Sequence, residues 1–413
     1  MSGPITKKFG KEPVNYYSGN PLNRLSFLRE NYEFLRKAIL SPNAKFLPLN
    51  SKNPLLYKFD KDERPSPEIS HKLHYLSYSD VRSLVNVGDS DDLYSLSEDE
   101  TVNNWSSTRD RIGINRVLVV FLGVDESIPG VAHSHYNGQA HFAVDLTPHH
   151  FLSDKIRDRC NALTESLTED AHYSWASMRM GPRVKLAEFA IYGQAVMYLD
   201  WNARNRFCGG CGRPTMSVNG GCKLLCPATD DGKELPPCET RGVVSNLSFP
   251  RTDSSIIVAV LNYTGDRILL GRAKRFPPGM YSCLAGFLEP AEGLEDCVRR
   301  EVYEESGVNV GRVVIYSSQP WPYPANIMVG CIAEVADASE ESHNIHLGHD
   351  PELADARWFT FDEVRKILEE AQKPGYNLFE DTGKLRIPPR QAIANVLIDA
   401  ATSPGFSLKD FKI

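Results

Sequence analysis

The strongest hydrophobic periodicity in the chain begins shortly after residue 290. Leu294, Val298 and Val302 recur every four residues, which is the spacing of one apolar stripe on an α-helix. Gly307 follows at the position where a glycine commonly ends a helix in the left-handed conformation. The pattern therefore predicts an amphipathic helix from about Ala291 to Gly307, preceded by a loop.

Other apolar runs predict that the chain mixes helices and strands. Amphipathic helices are expected at residues 21–40 and 186–199. Residues 1–20 are expected to form a loose arm, and residues 89–108, rich in Asp, Ser and Glu, a mobile surface insertion. Short apolar runs bounded by turn residues predict strands at residues 44–49, 55–59, 116–123, 140–146, 255–261, 267–272, 313–316 and 327–335.

Composition narrows the classes of partner. The 413 residues include 53 acidic and 46 basic side chains, a net charge of −7, so any polyanion-binding patch must be local. The chain has no apolar run of about 18 residues, and its N-terminus lacks the apolar core of a signal peptide, so no membrane span is expected. Nine cysteines, odd in number and clustered, suit a reducing intracellular compartment and a metal site better than a disulfide framework.

Three carboxylates share one side of the predicted helix. Glu301 and Glu305 are four residues apart and flank the apolar stripe, while Glu304 lies further round. Each like-charge pair at this spacing costs a few tenths of a kcal/mol on an isolated helix. A divalent cation such as Mg²⁺ or Mn²⁺ would remove that cost, because these ions prefer carboxylate oxygens. The alternative is a solvated acidic helix face.

The cysteines predict a second metal site. Cys208 and Cys211 stand two residues apart on a glycine-rich turn, a geometry that lets both sulfurs face one ion, and Cys226 follows. Cys238 and Cys222 compete to be the fourth ligand. Cys238 is favoured, because Cys222 would sit on the strand side of the hairpin leading into Cys226. The prediction is a closed, structural zinc site; a redox pair or buried free thiols are the alternatives.

The spacing of charged residues around the helix resembles a known family. Gly286, Glu292 and the run Arg300-Glu301-Val302-Tyr303-Glu304-Glu305-Ser306-Gly307-Val308 match the signature of the Nudix hydrolases. The resemblance implies an α/β/α sandwich that hydrolyses a nucleoside diphosphate linked to another group, with divalent metal.

Two further motifs are similar to those of the NADH pyrophosphatase family within the Nudix hydrolases. These are residues 249–253, Phe-Pro-Arg-Thr-Asp, and 318–324, Ser-Gln-Pro-Trp-Pro-Tyr-Pro, whose three prolines are expected to hold it extended. The resemblance covers residues 201–399. It implies a mixed α+β chain: a variable N-terminal α+β domain (1–200), a zinc ribbon (201–246) and a Nudix domain (247–413). The ribbon's second knuckle is wider than the family's, and Asn326 stands where the family more often has Ser.

The resemblance also implies roles for individual residues. Glu301, Glu305 and Glu352 would ligate the catalytic metals, with Asp350 and Asp355 as competitors for the last position. Glu304 would be a further ligand or orient water, and Glu292 and Arg300 would brace the loop against the helix. Substrate would be held by Phe249, Phe287, Gln319, Pro320, Trp321, Pro322, Tyr323, Pro324, Ala325, Asn326 and Ala394. The family is dimeric, so Phe249 and Phe287 are expected from different subunits of a homodimer.

The implied activity is hydrolysis of the pyrophosphate of NADH to reduced nicotinamide mononucleotide and AMP. NAD⁺ would be a poorer substrate, and NAD-capped RNA 5′ ends a further one. A broader dinucleoside-polyphosphate or ADP-sugar pyrophosphatase is the alternative within the class. A nucleotide sensor that does not cleave is the alternative outside it, and the three intact glutamates argue against it. Cytosol and peroxisome both stay open, because the C-terminal residues 410–413 resemble a peroxisomal tail only faintly.

Overall fold

The computed structural model describes residues 14–86, 93–108, 115–179, 183–242, 250–348, 352–371, 373, 376–378 and 384–404. The chain divides into two compact units. The N-terminal unit comprises Gly19–Arg251 and Pro322–Ala325, and the C-terminal unit comprises Met1–Ser18, Thr252–Trp321 and Asn326–Ile413. Within the described ranges, no helix is long and apolar enough to cross a membrane.

The N-terminal unit is built on a mixed sheet with the strand order β3-β2-β1-β6-β4, in which β5 pairs with β6 and β7 with β2. Its strands are β1 (Lys45–Asn50), β2 (Asn53–Lys58), β3 (His71–Leu73), β4 (Val119–Asp125), β5 (Val131–His133), β6 (Tyr136–Asp145) and β7 (Tyr173–Trp175). Its helices are α1 (Tyr32–Ile39), α2 (Tyr78–Val85), α3 (Glu98–Asn103), α4 (Asp154–Ser166) and α5 (Leu186–Arg204). Strand β1 is parallel to β6, and their paired residues Phe46 and Phe142 stack with ring centroids 5.2 Å apart. Four of the eight predicted strands and the helix at 186–199 are confirmed here.

Two expectations for this unit are wrong. The helix predicted at 21–40 begins only at Tyr32, because Leu25 adopts a left-handed φ of 41° and Asn31 caps a new start by accepting a hydrogen bond from Phe34 N. The insertion predicted at 89–108 is not wholly a surface feature. Its residues 89–92 lie outside the described ranges, but Trp105 is buried against Met216 and Val218.

Two small hairpins complete the N-terminal unit in the cysteine-rich region. Strands β8 (Met216–Val218) and β9 (Lys223–Leu225) form one, and β10 (Thr229–Asp230) and β11 (Lys233–Glu234) form the other. The boundaries predicted for three separate domains stay a prediction.

The C-terminal unit is a six-stranded sheet between helices, in the order β15-β16-β12-β13-β17 with β14 paired to β12. Among the strand pairs that the described residues form in this sheet, only β12 and β16 run parallel. The strands are β12 (Asp253–Leu261), β13 (Arg267–Ala273), β14 (Leu284–Phe287), β15 (Val310–Trp321), β16 (Asn326–Val335) and β17 (Leu353–Thr360). The helices are α6 (Leu294–Ser306), α7 (Glu340–His343), α8 (Phe361–Ala371) and α9 (Ile393–Thr402).

Alternation along β12 explains the layering of this unit. Ile256 and Val258 pack in one apolar cluster with Val298 and Val302 of α6. The intervening Ile257 and Ala259 pack in a second cluster with residues of α8 and α9. Successive side chains of a strand point to opposite faces, so a strand that is apolar throughout requires cover on both sides. The α/β/α sandwich expected from the sequence is confirmed.

The expectation that residues 1–20 form a loose arm is wrong for the described residues 14–18. Residues 14–18 belong to the C-terminal unit, where Asn15 is buried. Its Nδ2 donates to Ser317 Oγ (3.2 Å) and to the carbonyl oxygen of Ser318 (2.8 Å). The ring of Tyr17 packs edge-on against the ring of Trp321, with the two ring centroids 6.3 Å apart. These residues are therefore anchored on β15 and are not a loose arm.

Candidate active site

Helix α6 carries the three glutamates and ends where the sequence predicted. Gly307 has a φ of 74°, and its N–H donates to Tyr303 O at 2.8 Å. The helix begins at Leu294, three residues later than expected, because Ala291 has a φ of 64°, in the left-handed region that a helix cannot contain. Val298 and Val302 are fully buried, so the apolar stripe fixes which way the glutamates face.

Arg300 ties the loop before the helix to the helix itself. Its Nε and Nη2 donate to the two carboxylate oxygens of Glu292 at 2.7 and 2.8 Å, a bidentate ion pair. Nη2 also donates to Phe287 O at 2.9 Å. The hydrogen bonds from Arg300 lower the pKa of Glu292 to about 2, so this carboxylate stays ionised. The brace predicted for these two residues is present.

The same guanidinium also holds two of the three glutamates. Arg300 Nη1 donates to Glu301 Oε1 at 2.9 Å and to Glu304 Oε2 at 3.1 Å. Burial raises the pKa of Glu301, and Arg300 opposes that rise. One cation thus offsets part of the repulsion among neighbouring carboxylates.

Gly286 forms a cradle for the Glu301 carboxylate. A Cβ atom at position 286 would lie 1.8 Å from Glu301 Cδ and 2.1 and 2.2 Å from its two oxygens. Gly286 pairs with Ile256 across β14 and β12, so this backbone has no freedom to retreat. Only glycine at this position leaves the carboxylate where it is.

Glu305 is the most enclosed of the three, with 5 % of its surface exposed, whereas Glu304 is about half-exposed. Placing a carboxylate in such an enclosed position is costly unless a partner compensates its charge. The donor set is all carboxylate oxygen, which fits Mg²⁺ or Mn²⁺. Among the described residues, the only group of three or more potential ligands within 4.8 Å of one another is a set of cysteines, so the glutamates are not gathered to that distance.

Three acidic residues after β16 are candidates for the third metal ligand, and the structure describes two of them. Glu352 is exposed and directly precedes β17. Asp355 is held elsewhere, because the Tyr281 hydroxyl and Arg357 Nε both donate to its Oδ2. Asp350 lies outside the described residues. Glu352 stays the predicted ligand, with Asp350 as its competitor.

The predicted substrate residues of the C-terminal unit differ in how accessible their side chains are to a ligand. Phe287 is 56 % exposed directly beside the glutamate cradle, as a stacking side chain would need to be. Gln319 is 1 % exposed: its Nε2 donates to Tyr16 O and Gln391 O, and its Oε1 accepts from Ile393 N. We therefore assign Gln319 to holding β15 against the start of α9, where Ala394 is buried. Phe249 lies outside the described residues.

The proline-rich segment is extended only in its first half. Residues 318–321 belong to β15, which pairs with β16 through Pro320↔Ile327 and Trp321↔Asn326. Pro322–Ala325 instead turns the chain back, because the two strands are antiparallel neighbours and must be joined by a short connection. The expectation of an extended segment over residues 318–324 is therefore wrong for residues 322–324.

Within the N-terminal unit, Tyr323 has two neighbours that the sequence did not single out. Burial raises the pKa of Tyr192, and the nearby Tyr323 raises that pKa further. The guanidinium of Arg179 lies 5.4 Å from the centre of the Tyr323 ring. Neither Tyr192 nor Arg179 stands in a recognisable motif, so no local signal could have identified them.

Four cysteines of the N-terminal unit form the geometry of a closed metal site. The Sγ atoms of Cys208, Cys211, Cys226 and Cys238 all lie within 4.8 Å of one another. The Sγ–Sγ distances are 3.7 Å for Cys208–Cys238 and 3.6 Å for Cys211–Cys226. A tetrahedron with Zn–S bonds of about 2.3 Å has edges of about 3.8 Å. The cluster therefore fits zinc.

The environment lowers the pKa of Cys238, through hydrogen bonds from Thr240, and the pKa of Cys208, which favours the thiolate form that binds metal. Burial instead raises the pKa of Cys226 to about 12. Burial opposes ionisation of Cys208, but hydrogen bonds from Thr240 and from the N–H groups of Cys211 and Gly210 outweigh it and lower its pKa to about 6. Cys222, the rejected fourth ligand, lies apart: its Sγ is 3.6 Å from Phe121 O, and burial raises its pKa to about 11. The structure thus gathers the four cysteines that the spacing favoured.

We expect Cys238→Ser to lower the zinc content of the purified protein and its melting temperature. Structural zinc contributes roughly 10–16 kcal/mol in small peptide domains, and a larger unit depends on it less. Cys222→Ser is the matched control and should retain full zinc. Metal analysis by mass spectrometry separates the two, and loss of zinc from the Cys222 variant alone would exclude the assignment.

Comparison with known proteins places this geometry in a class. Residues 251–380, which contain the six-stranded sheet and the glutamate helix, match the NUDIX domain family. Fold and site together therefore define a Nudix domain.

Relatives extend the match to nearly the whole chain. An NAD-capped RNA hydrolase of Schizosaccharomyces pombe is 35% identical, over 94% of this chain and 93% of its own length. An NAD-capped RNA hydrolase of Homo sapiens is 32% identical over 95% of this chain and 76% of its own length. One of Saccharomyces cerevisiae is 32% identical over 86% and 88%. The chain belongs to the NADH pyrophosphatase group of the Nudix hydrolases, which includes these NAD-capped RNA hydrolases.

Proposed function

We propose that this chain hydrolyses the pyrophosphate bond of NADH to reduced nicotinamide mononucleotide and AMP, with NAD⁺ as a poorer substrate and NAD-capped RNA as a further one. The observation that carries the proposal is the acidic face of α6, where Glu301 lies in the Gly286 cradle and Glu305 is enclosed beside the apolar stripe. The relatives named NAD-capped RNA hydrolases support the choice of an NAD derivative.

The catalytic metal would be held by Glu301, Glu305 and Glu352. Bound Mg²⁺ or Mn²⁺ supplies positive charge to the phosphate oxygens and lowers the pKa of the attacking water. Arg300 keeps Glu301 and Glu304 in place through its Nη1, and its clasp on Glu292 fixes the loop that bears Phe287. Glu304, the more exposed glutamate, is the group that could orient water or act as a further ligand.

Substrate specificity would come from aromatic side chains. Phe287 offers an exposed ring for a base or nicotinamide, and Trp321 is steadied by the edge of Tyr17. Tyr323, which lies beside the Arg179 guanidinium, is the third ring. The remaining predicted contacts, Pro320, Pro322, Pro324, Ala325, Asn326 and Ala394, would shape the pocket, and Phe249 would come from the partner subunit of a homodimer. Zinc in the cysteine cluster would be structural, because four thiolates leave no open coordination position.

A substrate panel tests the proposal. Initial rates with Mg²⁺ or Mn²⁺ are compared for NADH, NAD⁺, ADP-ribose and diadenosine polyphosphates. The proposal expects the highest kcat/KM for NADH among them. Equal kcat/KM for diadenosine polyphosphates would favour the broader pyrophosphatase, and binding without turnover of any substrate would favour a nucleotide sensor.

We expect Trp321→Ala and Tyr323→Ala to reduce kcat/KM for NADH by about tenfold each, because stacking of a base on an aromatic ring contributes roughly 1–3 kcal/mol. A generic substrate such as ADP-ribose should lose less. Tyr263→Ala, which removes an exposed ring from a turn of the C-terminal unit, is the control and should leave both rates unchanged. If NADH and ADP-ribose lost the same factor, the two rings would be scaffold rather than specificity elements.

A further inference from the structure

A groove in the N-terminal unit begins at the Pro322–Ala325 turn and continues past it along residues that have no role in the hydrolysis described above. Two cavities, of about 440 and 390 Å³, share Lys52, Asp200 and Arg204 in their walls and so form one continuous groove. Tyr323 lines one cavity, and Phe151 lines the other. We call this surface the basic groove.

The charges of the basic groove are arranged with the cations outward. Asp200 is only 4 % exposed, and its two oxygens accept from Lys52 Nζ at 2.6 Å and from Arg204 Nε at 2.7 Å. Lys52 and Arg204 are 62 % and 52 % exposed. One buried carboxylate therefore positions two solvent-facing cations and neutralises only one of them. The groove's other carboxylate, Asp145, is largely covered and bonded to His149.

The backbone at Lys52 is strained in a way that favours a role for its side chain. Ser51 and Lys52 form a two-residue hairpin turn between the paired residues Asn50 and Asn53, with φ values of 49° and 69°. Such turns favour Asn or Gly, and a lysine there carries a conformational cost. The turn is nevertheless held firmly: Ser51 N donates to Thr147 Oγ1 at 2.8 Å, and the Tyr192 hydroxyl donates to Lys52 O at 3.0 Å.

Aromatic rings accompany these cations along the groove. Tyr323 lies under the exposed guanidinium of Arg179. Phe151 stacks on His149, with ring centroids 4.6 Å apart, and the Arg206 guanidinium lies 3.7 Å from the centre of the Phe151 ring. The two faces of the Phe151 ring are therefore covered, which leaves Tyr323 as the ring in the groove that a ligand can stack on. Exposed cations beside an aromatic ring are the features that bind single-stranded nucleic acid, where cations meet phosphates and rings stack with unpaired bases.

We propose that the basic groove binds the single-stranded RNA body of an NAD-capped transcript, through its phosphodiesters at Lys52 and Arg204 and through a base at Tyr323. This rests on the proposed function, because it extends the substrate from the dinucleotide to the chain attached to its adenosine. The net charge of −7 makes the protein as a whole repel RNA, so a single-stranded RNA would bind at a local cluster of cations. A duplex is disfavoured, because paired bases cannot stack on the Tyr323 ring.

Direct binding tests the groove without catalysis. The probe is a fluorescent 5′-hydroxyl RNA of about 20 nucleotides, which has no diphosphate to cleave and exceeds the site size of typical single-strand binders. Lys52→Gln and Arg204→Gln each leave Asp200 paired with the other cation, so neither variant leaves the buried Asp200 carboxylate without a positive partner. Each should weaken binding roughly two- to fivefold, the effect of one exposed ion pair. Each should also make the slope of log affinity against log salt shallower by about 0.7.

Lys155→Gln is the matched control, because it removes one exposed positive charge from α4 of the same unit, outside the groove. It should leave affinity and salt slope unchanged. Equal weakening by all three variants, or no weakening by the groove variants, would overturn the proposal. Equal competition by poly-glutamate of matched charge would do so as well, because a peptide offers no bases.

Kinetics separate this inference from the proposed function. For NAD-capped RNA, the groove variants should raise KM and leave kcat unchanged, while kcat/KM for NADH stays at the wild-type value. Equal losses on both substrates would mean that the residues act on the dinucleotide site, and the groove proposal would fail while the proposed function stood. If the wild type hydrolysed neither substrate but the RNA-binding results held, the proposed function alone would fail.

Discussion

Replacing Glu305 with Gln is expected to lower kcat for NADH by about two orders of magnitude or more, the usual scale for disrupting a catalytic metal site. Glutamine preserves the size of the side chain and removes the charge that would bind a divalent cation. Because Glu305 is nearly buried on a helix fixed by Val298 and Val302, no neighbouring carboxylate can swing into its position. Steady-state rates in saturating Mg²⁺ and in saturating Mn²⁺ measure the effect.

Asp296→Asn is the matched control for this variant. It removes one negative charge from the same helix, at an exposed position paired only with Arg299 among the ion pairs of the described residues. It should retain near-normal kcat. Both variants should unfold at wild-type temperature, since neither changes side-chain volume. A near-normal kcat for Glu305→Gln would remove Glu305 from the metal site.

Replacing Gly286 with Ala should have an effect of similar size without removing any functional group. The new methyl group would occupy the space of the Glu301 carboxylate, which would have to move by an ångström or more. Misplacing a catalytic group by about 1 Å can cost roughly a hundredfold in rate. Binding of Mn²⁺, followed by calorimetry, should weaken in parallel, because Glu301 would no longer be presented by the cradle.

Gly293→Ala provides a close control for the glycine substitution. A Cβ at position 293 would come no closer than 3.5 Å to Asp296, and its φ of −77° suits any residue. The change should leave kcat within about twofold, because alanine at a helix N-cap costs mainly stability. If Gly286→Ala kept wild-type activity and Mn²⁺ affinity, the cradle would not position the catalytic carboxylate.

The elements best predicted from the sequence are those whose determinants lie close together along the chain. The apolar stripe of α6, its end at Gly307 and the shared face of the three glutamates all follow from spacings of three and four residues. The sequence prediction placed the start of α6 too early, because it could not show that Ala291 adopts a left-handed conformation. Ala291 belongs to the loop before the helix, which Arg300 holds in place from within the helix. That brace depends on a contact, not on a pattern.

Within the proline-rich segment, the chemical identity of Gln319 did not predict its role. Gln319 carries a polar amide in a motif associated with substrate, yet its side chain faces inward and bonds to Gln391 and Ile393. The direction of a side chain on a strand depends on the register with its neighbours, and a one-residue change reverses it. Spacing along β15 therefore could not reveal that Gln319 supports the segment from beneath.

Helical periodicity predicted the acidic face of α6, and ligand spacing favoured the four cysteines, because each depends on residues close together in the chain. The sandwich was implied by the resemblance of the residues around that helix to the Nudix signature. Only the tertiary structure decided that Gly286 cradles Glu301, that Asn15 and Tyr17 steady β15, and that Asp200 holds Lys52 and Arg204. Each of these contacts joins residues from different elements. Which elements meet is decided by packing of the whole core, a property that no local stretch of sequence contains.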